Sequence, residues 1–214
     1  YNTSGAGQTC SSTAPAGSPA TYLVRACNDG NEQDSFLITG RPGDQSWGVR
    51  YFDHATGIER TGDVTGAGFT AGPLRPGAFT WLRVEVTPLD SARGDSTLSR
   101  LVTVTSLGDT SKTDAVRTLT TCAPTYQPDG TIRNSVAYIG DGVYNTNGDG
   151  QRYAQTVARG ATVAFAARVF NDGNVPQRLI ITGTAGNPNW AVQYIDYATG
   201  AEITQAVRGT GYRT

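Results

Sequence analysis

The chain contains an internal repeat, and this repeat constrains the fold more than any other feature of the sequence. Residues 1–71 align without a gap on residues 144–214, and roughly 29 of about 71 aligned positions are identical. Tyr1–Thr3 returns as Tyr144–Thr146. The longest shared motif, Trp-x-Val-x-Tyr-x-Asp-x-Ala-Thr-Gly, begins at Trp47 and again at Trp190. The sequence therefore predicts two equivalent domains, one full period followed by about half of a second, as in a tandem array.

The composition excludes several classes of function. The net charge is −1 and charged residues make up 16% of the chain, so the basic surface that binds nucleic acid is missing. No run of about 18 apolar residues occurs, and we expect no membrane span. The chain has no Met, so we expect that a signal peptide was removed or that the chain begins inside a longer one. Lys112 is the only lysine, which argues against chemistry that depends on lysine.

The three cysteines are constrained differently by the repeat. Cys10 aligns with Tyr153 and Cys27 with Phe170, so two aromatic positions of one repeat are cysteines in the other. This pattern predicts that the two positions face each other and that Cys10 and Cys27 form a disulfide, which implies an oxidising, extracytoplasmic setting. Cys122 is left over at the domain junction. It stays a thiol, pairs with Cys10 or Cys27 instead, or bonds another repeat or chain.

Strand patterns run through almost the whole chain, separated by clusters of Gly, Pro, Asn and Asp. The predicted strands are Ala20–Cys27, Ser35–Gly40, Trp47–Asp53, Phe79–Val86, Leu98–Thr105, Asp114–Thr121 and Thr131–Ile139. No stretch has a helical period with caps, so we expect no helix. The sequence predicts an all-β fold.

Several motifs carry a resemblance to a known class of domain. Residues 24–36 read Val-x-x-Cys-Asn-Asp-Gly-Asn-x-x-Asp-x-Phe, residues 74–77 read Leu-x-Pro-Gly, and residues 82–88 read Leu-x-Val-x-Val-Thr-Pro. With the tail at residues 102–114, this pattern resembles bacterial immunoglobulin-like repeat modules of secreted and cell-surface proteins. The resemblance implies tandem immunoglobulin-like β-sandwiches that act as spacers, stalks, adhesive segments or filament building blocks. We therefore predict one sandwich over residues 1–122, a linker over 123–130 and a second, incomplete sandwich over 131–214.

One loop has part of a calcium-binding pattern. Asn145, Asn147 and Asp149 alternate before a glycine, like the oxygen ligands that open a calcium loop. The twelfth position, where a bidentate acid is expected, is Thr156. We favour a glycine-rich turn and keep calcium, the only cofactor considered, as the alternative.

Other polar residues could suggest catalysis, but the repeat argues against it. Asp53 and Glu59 recur as Asp196 and Glu202, and paired acids can act in glycoside hydrolysis. Asp-x-Ala-Thr-Gly, however, is typical of a turn in which the Asp side chain bonds the backbone. His54, the only histidine, aligns with Tyr197, so no triad or zinc site can be built on it. We expect no enzyme.

Trp81 is the most interesting single side chain. Leu82 and the alternate residues after it are apolar and predict an inward face, so Trp81 points outward beside Arg83 and Glu85. An exposed Trp can anchor an interface or stack on a sugar, although the rest of the chain could also cover it.

These observations predict an extracellular structural protein, a tandem-repeat subunit of a cell-surface filament, stalk or sheath that associates with itself through strand edges. The expected partners are other copies of the chain or further repeats of the same polypeptide, with carbohydrate as a second candidate. We expect Val163–Phe170 and Leu179–Thr182 to make backbone hydrogen bonds to another chain or repeat, because the unpaired N–H and C=O groups of an open strand edge pair readily with a further strand. The alternative is a carbohydrate-binding or spacer module of a secreted glycosidase or adhesin.

Overall fold

Strand-forming sequence gives strands in both halves of the chain. The computed structural model describes residues 1–214 and contains thirteen strands and two single-turn helices. The strands of the first half are β1 (Thr9–Ala14), β2 (Ala20–Cys27), β3 (Asp34–Gly40), β4 (Trp47–Asp53), β5 (Phe69–Leu74), β6 (Phe79–Pro88), β7 (Thr97–Ser106) and β8 (Thr113–Cys122). Those of the second half are β9 (Pro128–Arg133), β10 (Tyr138–Ile139), β11 (Ala167–Asn171), β12 (Ile180–Ile181) and β13 (Tyr212–Arg213). The helices are α1 (Thr61–Thr65) and α2 (Thr204–Arg208).

The chain divides into unit 1, residues 1–125, and unit 2, residues 126–214. Strand β9 begins at Pro128, inside the segment 123–130 that the sequence assigns to the linker. Neither helix is long or apolar enough to cross a membrane.

Unit 1 is a sandwich of two sheets. One has the strand order β1-β8-β7-β3-β5 and the other the order β2-β6-β4. All neighbours are antiparallel except β1 and β8, which run parallel. The sheets face each other, since the Tyr22 hydroxyl on β2 bonds Thr120 Oγ1 on β8 at 2.8 Å. The predicted all-β, immunoglobulin-like sandwich is confirmed.

Alternation along the strands builds the core of unit 1. Leu82, Val84 and Val86 on β6 are buried, as their spacing predicts. Tyr51 on the neighbouring strand β4 is also fully buried, and Trp47 lies in the same core. The apolar face of the small sheet therefore packs against the five-stranded sheet.

The prediction that the chain has no helix is wrong in detail. Each of α1 and α2 is a single turn of five residues, too short to show a helical period. Strands β1 and β5 were also not predicted, because Thr9–Ala14 is polar and Phe69–Leu74 contains Gly72 and Pro73.

Unit 2 contains two small sheets. One has the order β10-β9-β11, and the other pairs β12 with β13. The strand predicted over Thr131–Ile139 is two strands, because Asn134 makes a turn between them and its side-chain oxygen accepts the amides of Val136 and Ala137. We expected Val163–Phe170 and Leu179–Thr182 to bond another chain or repeat, but their strands pair within unit 2, β11 with β9 and β12 with β13.

Local structure recurs between the aligned segments. The Tyr51 amide donates to Thr61 Oγ1 at 3.0 Å, and the Tyr194 amide donates to Thr204 Oγ1 at 2.8 Å. Helix α2 likewise lies 143 residues after α1. The repeat in sequence is thus also a repeat of short-range geometry.

Candidate interaction surfaces

The outer face of the β2-β6-β4 sheet carries exposed aromatic side chains. Trp81 lies on this face, as its position in the alternation predicts, and is 36% exposed. Its ring packs edge-on against Phe79, with the ring centroids 5.9 Å apart. Arg25, opposite Trp81 on β2, places its guanidinium 5.4 Å from the Phe79 ring centroid. Phe79 is two residues from Trp81 and therefore on the same face, so alternation along β6 was the signal that could have identified it.

Arginine side chains lie over Phe52 on the same face. The Arg83 and Arg50 guanidinium groups lie 4.2 Å and 4.8 Å from the centroid of the Phe52 ring. Arg50 also pairs with Glu59 at 2.6 Å. Phe52 is buried beneath these groups, so the exposed apolar side chains of this face are Phe79, Trp81 and Leu23, which lies opposite Arg83.

A second apolar surface lies on unit 2. Trp47 is 5% exposed in unit 1, whereas its counterpart Trp190 is 55% exposed. Val49 is 6% exposed and its counterpart Val192 is 38% exposed. Trp47 is therefore a core residue and Trp190 is not, although both begin the same motif. We call Phe165, Val169, Trp190 and Val192 the unit 2 apolar face, because their counterparts lie in the core of unit 1.

Unit 1 also has a polar cleft of about 340 Å³, lined by Asn28, Asp34 and Lys112 among others. The Asp34 carboxylate accepts hydrogen bonds from the Ser106 hydroxyl and from the Gly108 amide. The hydrogen bond from the Ser106 hydroxyl lowers the pKa of Asp34 below its ordinary value, and the backbone amides lower it further. Burial acts in the opposite direction but is outweighed. These groups satisfy one another, which is typical of a structural turn rather than of a catalytic site.

The loop that resembles the start of a calcium site is closed by its own hydrogen bonds. The Asn145 side-chain oxygen accepts the Gly148 amide at 2.8 Å, and the Asn147 oxygen accepts the Asp149 amide at 3.0 Å. Asp149 also pairs with Arg152 at 3.3 Å. No group of three or more His, Cys, Asp or Glu residues in the chain could hold a metal ion. This geometry is that of the glycine-rich turn, and calcium stays an untested prediction.

The cysteines do not form the predicted disulfide. Cys10 is exposed on β1 and Cys27 is half-buried on β2, and both are thiols. These strands belong to different sheets, and Cys10 lies opposite Thr118 on β8. The aromatic counterparts do not face each other either, because Tyr153 packs on Phe165.

Cys122 ends β8 in the interior of unit 1. Its sulfur lies 3.9 Å from the Ala92 carbonyl oxygen, and its side chain is fully buried. It could bond another chain only if unit 1 opened.

The repeated acids and the histidine occupy turns. Asp53 Oδ1 accepts the Ala55 amide at 3.0 Å, and Asp196 Oδ1 accepts the Ala198 amide at 2.9 Å. His54 is exposed in the same turn as Asp53. The Asp-x-Ala-Thr-Gly motif is therefore a turn in both units, as predicted.

Comparisons with known proteins give a likeness of fold only. No family model matches the chain, and no curated protein matches it. Among solved structures, the chain is similar to a PapD-like domain of human CEP192, with 11% identity, a TM-score of 0.35, and coverage of 54% of this chain and 80% of that one.

The chain is also similar to BcpA, the major pilin subunit of Bacillus cereus. The identity is 9% and the TM-score 0.39, and the match covers 90% of this chain and 59% of the pilin chain. A variant of the same pilin matches at 10% identity with a TM-score of 0.37, over 94% of this chain and 62% of that one.

Proposed function

We propose that this protein is an extracellular structural protein, a tandem-repeat subunit of a cell-surface filament, stalk or sheath. Further copies of the repeat, from the same polypeptide or from other copies of the chain, are its partners. It binds them through strand edges and apolar sheet faces and catalyses no reaction. The unit 2 apolar face is the observation that carries this proposal.

The comparison between the two units supports the need for a partner. In unit 1, Tyr22 and Ala26 are 4% and 3% exposed, whereas their counterparts Phe165 and Val169 are 47% and 41% exposed. Burying one large apolar side chain stabilises a protein by about 1.5–3 kcal/mol. Covering the unit 2 apolar face would thus contribute several kcal/mol, on the order of a specific association.

The strands that cover the equivalent residues of unit 1 indicate how the face is covered. Strand β6 pairs with both β2 and β4 and places Leu82 and Val84 against the core. A strand with the same alternation would pair with the exposed edge of β11 and place apolar residues over Trp190. The expected partner is therefore another polypeptide segment and not a small molecule.

Electron microscopy of the native material, with a light-scattering mass in mild buffer, tests the proposal. We expect long fibres with a regular axial repeat. Val192→Lys places a charge on the unit 2 apolar face and should abolish assembly. Tyr197→Lys is the matched control, because Tyr197 is 97% exposed at a turn, and it should assemble normally. A monomeric protein with a mass near the 22.5 kDa of one chain would refute the proposal.

A carbohydrate-binding or spacer module of a secreted glycosidase or adhesin is the second candidate. The exposed pair of Trp81 and Phe79 favours it, because aromatic faces stack on sugars. The two rings are inclined at 79°, so they do not form a flat platform. Measurable sugar affinity that Trp81→Ala abolishes would favour this function over a filament.

A further inference from the structure

Strand β2 leaves one edge of the unit 1 sandwich open. It is the terminal strand of its sheet, and it pairs with β6 alone. The backbone N–H of Asn28 donates to the Ala78 carbonyl oxygen at 2.9 Å. Asn28 is even-numbered, so the even-numbered residues of this segment point their backbone groups toward β6. Backbone groups in an antiparallel strand alternate between its two edges. Those of Leu23, Arg25 and Cys27 therefore point to the open edge.

The equivalent segment of unit 2 has a strand in that place. Strand β11 pairs with β9, with Arg168 opposite Thr131 and Phe170 opposite Asp129. Arg168 and Phe170 are the counterparts of Arg25 and Cys27 in the repeat.

The hydrogen bonds identify the edge that β9 occupies. The Asp172 amide donates to the Gln127 carbonyl oxygen at 2.8 Å, and the Arg133 amide donates to the Ala166 oxygen at 2.8 Å. Asp172 and Ala166 align with Asp29 and with Leu23, which lie in the odd-numbered set. Strand β9 thus covers the edge of β11 that corresponds to the open edge of β2, and not the edge that β6 covers in unit 1.

The sequence of β9 suits this pairing. Pro128 has no N–H, but it lies opposite Asn171 at a position where the backbone of β9 points away from β11. Asp129 and Thr131 supply the backbone groups that face β11. The next strand, β10, pairs with the far edge of β9, where Ile132 lies opposite Ile139.

We propose that the open edge of β2 is a docking edge for a strand of the β9 type, supplied by a further copy of the repeat. It binds antiparallel, with the residue equivalent to Thr131 opposite Arg25 and the residue equivalent to Asp129 opposite Cys27. This inference rests on the proposed function and deepens it, because it names the surface and the segment through which copies of the repeat associate. Strand addition of this kind obtains its affinity from main-chain hydrogen bonds.

Amide hydrogen exchange of the full chain, with a synthetic peptide of residues 126–134, tests the proposal. In the non-assembling Val192→Lys chain without peptide, the amides of Leu23, Arg25 and Cys27 should exchange rapidly while those of Tyr22 and Val24 are protected by β6. With saturating peptide, the three odd-numbered amides should gain protection. Binding that leaves these amides unchanged would overturn the proposal.

Variants that exploit the alternation sharpen the result. Arg25→Pro removes an N–H that faces the open edge and that β6 does not use, and should weaken peptide binding at least about fivefold. Arg25→Thr is the matched control, since it removes the same side chain but keeps the N–H. In the peptide, Thr131→Pro should have a similar effect, whereas Gly130→Pro should not. Equal loss with Arg25→Pro and Arg25→Thr would contradict backbone docking.

If the peptide binds too weakly to saturate the edge, the segment can be fused to the chain instead. Residues 126–143 placed directly before Tyr1 reproduce the connection that precedes Tyr144 and give the strand a high effective concentration. Protection of Leu23, Arg25 and Cys27 in this fusion supports the proposal, and its absence overturns it. Fibres whose β2 edge stays unprotected would overturn this inference and leave the proposed function standing. Protection of this edge by the peptide in a chain that stays monomeric would support this inference and overturn the proposed function.

Discussion

The contact between Gly40 and Tyr51 yields the most specific prediction about stability. A Cβ atom placed on Gly40 would lie 2.6 Å from the Tyr51 hydroxyl oxygen and 2.7 Å from Cζ, which is closer than such contacts allow. The Tyr51 ring cannot move away easily, because it is fully buried and its hydroxyl donates to the Arg41 carbonyl oxygen at 2.8 Å. Gly40→Ala should therefore overpack the core of unit 1.

The expected cost follows from two opposing effects. Overpacking a core costs about 1–3 kcal/mol, and displacing the hydroxyl from Arg41 would add about 1 kcal/mol. The lower entropy of the unfolded alanine chain offsets about 0.4–1 kcal/mol. We expect Gly40→Ala to destabilise unit 1 by about 1–4 kcal/mol. Gly62→Ala is the matched control: apart from its chain neighbours and the backbone of α1, no atom lies within 4 Å of its added Cβ, so it should be neutral or slightly stabilising.

Urea unfolding followed by tryptophan fluorescence measures this difference. Replacing the exposed Trp81 and Trp190 by Phe leaves Trp47 as the only emitter, and its burial in the core makes it a reporter of unit 1. A Gly40→Ala midpoint equal to that of Gly62→Ala would refute the argument, because it would mean that the Tyr51 ring has room to move.

Three further predictions concern ionisation and access. Burial raises the pKa of Tyr51 from 10.0 to about 12, so the folded state keeps the neutral phenol and unit 1 should lose roughly 2–3 kcal/mol between pH 10 and pH 12; alkaline unfolding of Tyr51→Phe should lack this loss. Because the pKa of Asp34 is lowered in the folded state, its carboxylate stabilises the fold at pH values above 3.8, and this stabilisation is lost as the pH falls further. The free energy of unfolding of Asp34→Asn and of Ser106→Ala should therefore depend less on pH in acid than that of the unchanged protein. An alkylating reagent should label Cys10 in the native protein and Cys122 only after unfolding, which mass spectrometry of the labelled peptides would check; equal labelling rates would contradict the buried position of Cys122.

Sequence patterns predicted the parts of this fold that depend on alternation and turns. Strands β2 and β4 begin and end where predicted, because their apolar residues alternate between clear turn signals. Strand β1 was missed since it is an edge strand with mostly exposed polar residues, and such a strand has no apolar alternation. The predicted pairing of Cys10 with Cys27 failed for another reason: alignment shows which positions are equivalent, but not where their side chains point. Cys10 is exposed on β1, and Cys27 belongs to the outward-facing set of β2.

The two units separate what short segments specify from what the core specifies. The Tyr194 hydroxyl donates to the Thr184 carbonyl oxygen at 3.0 Å, as Tyr51 does in unit 1, and a Cβ on Gly183 would approach the Tyr194 ring as closely as one on Gly40 approaches Tyr51. Segments of about twenty residues thus keep their geometry in both units.

Burial behaves differently from this local geometry. Trp190 keeps its place in the motif, yet its side chain is exposed where that of Trp47 is buried. In unit 1, Leu82 and Val102 of β6 and β7 belong to the same core as Trp47, and unit 2 has no such strands packed on the equivalent residues. The repeated motifs therefore fix local geometry, whereas burial of their apolar side chains depends on strands outside the motifs. That dependence is why we propose strand edges and the unit 2 apolar face, rather than any polar cluster, as the interaction surfaces of this chain.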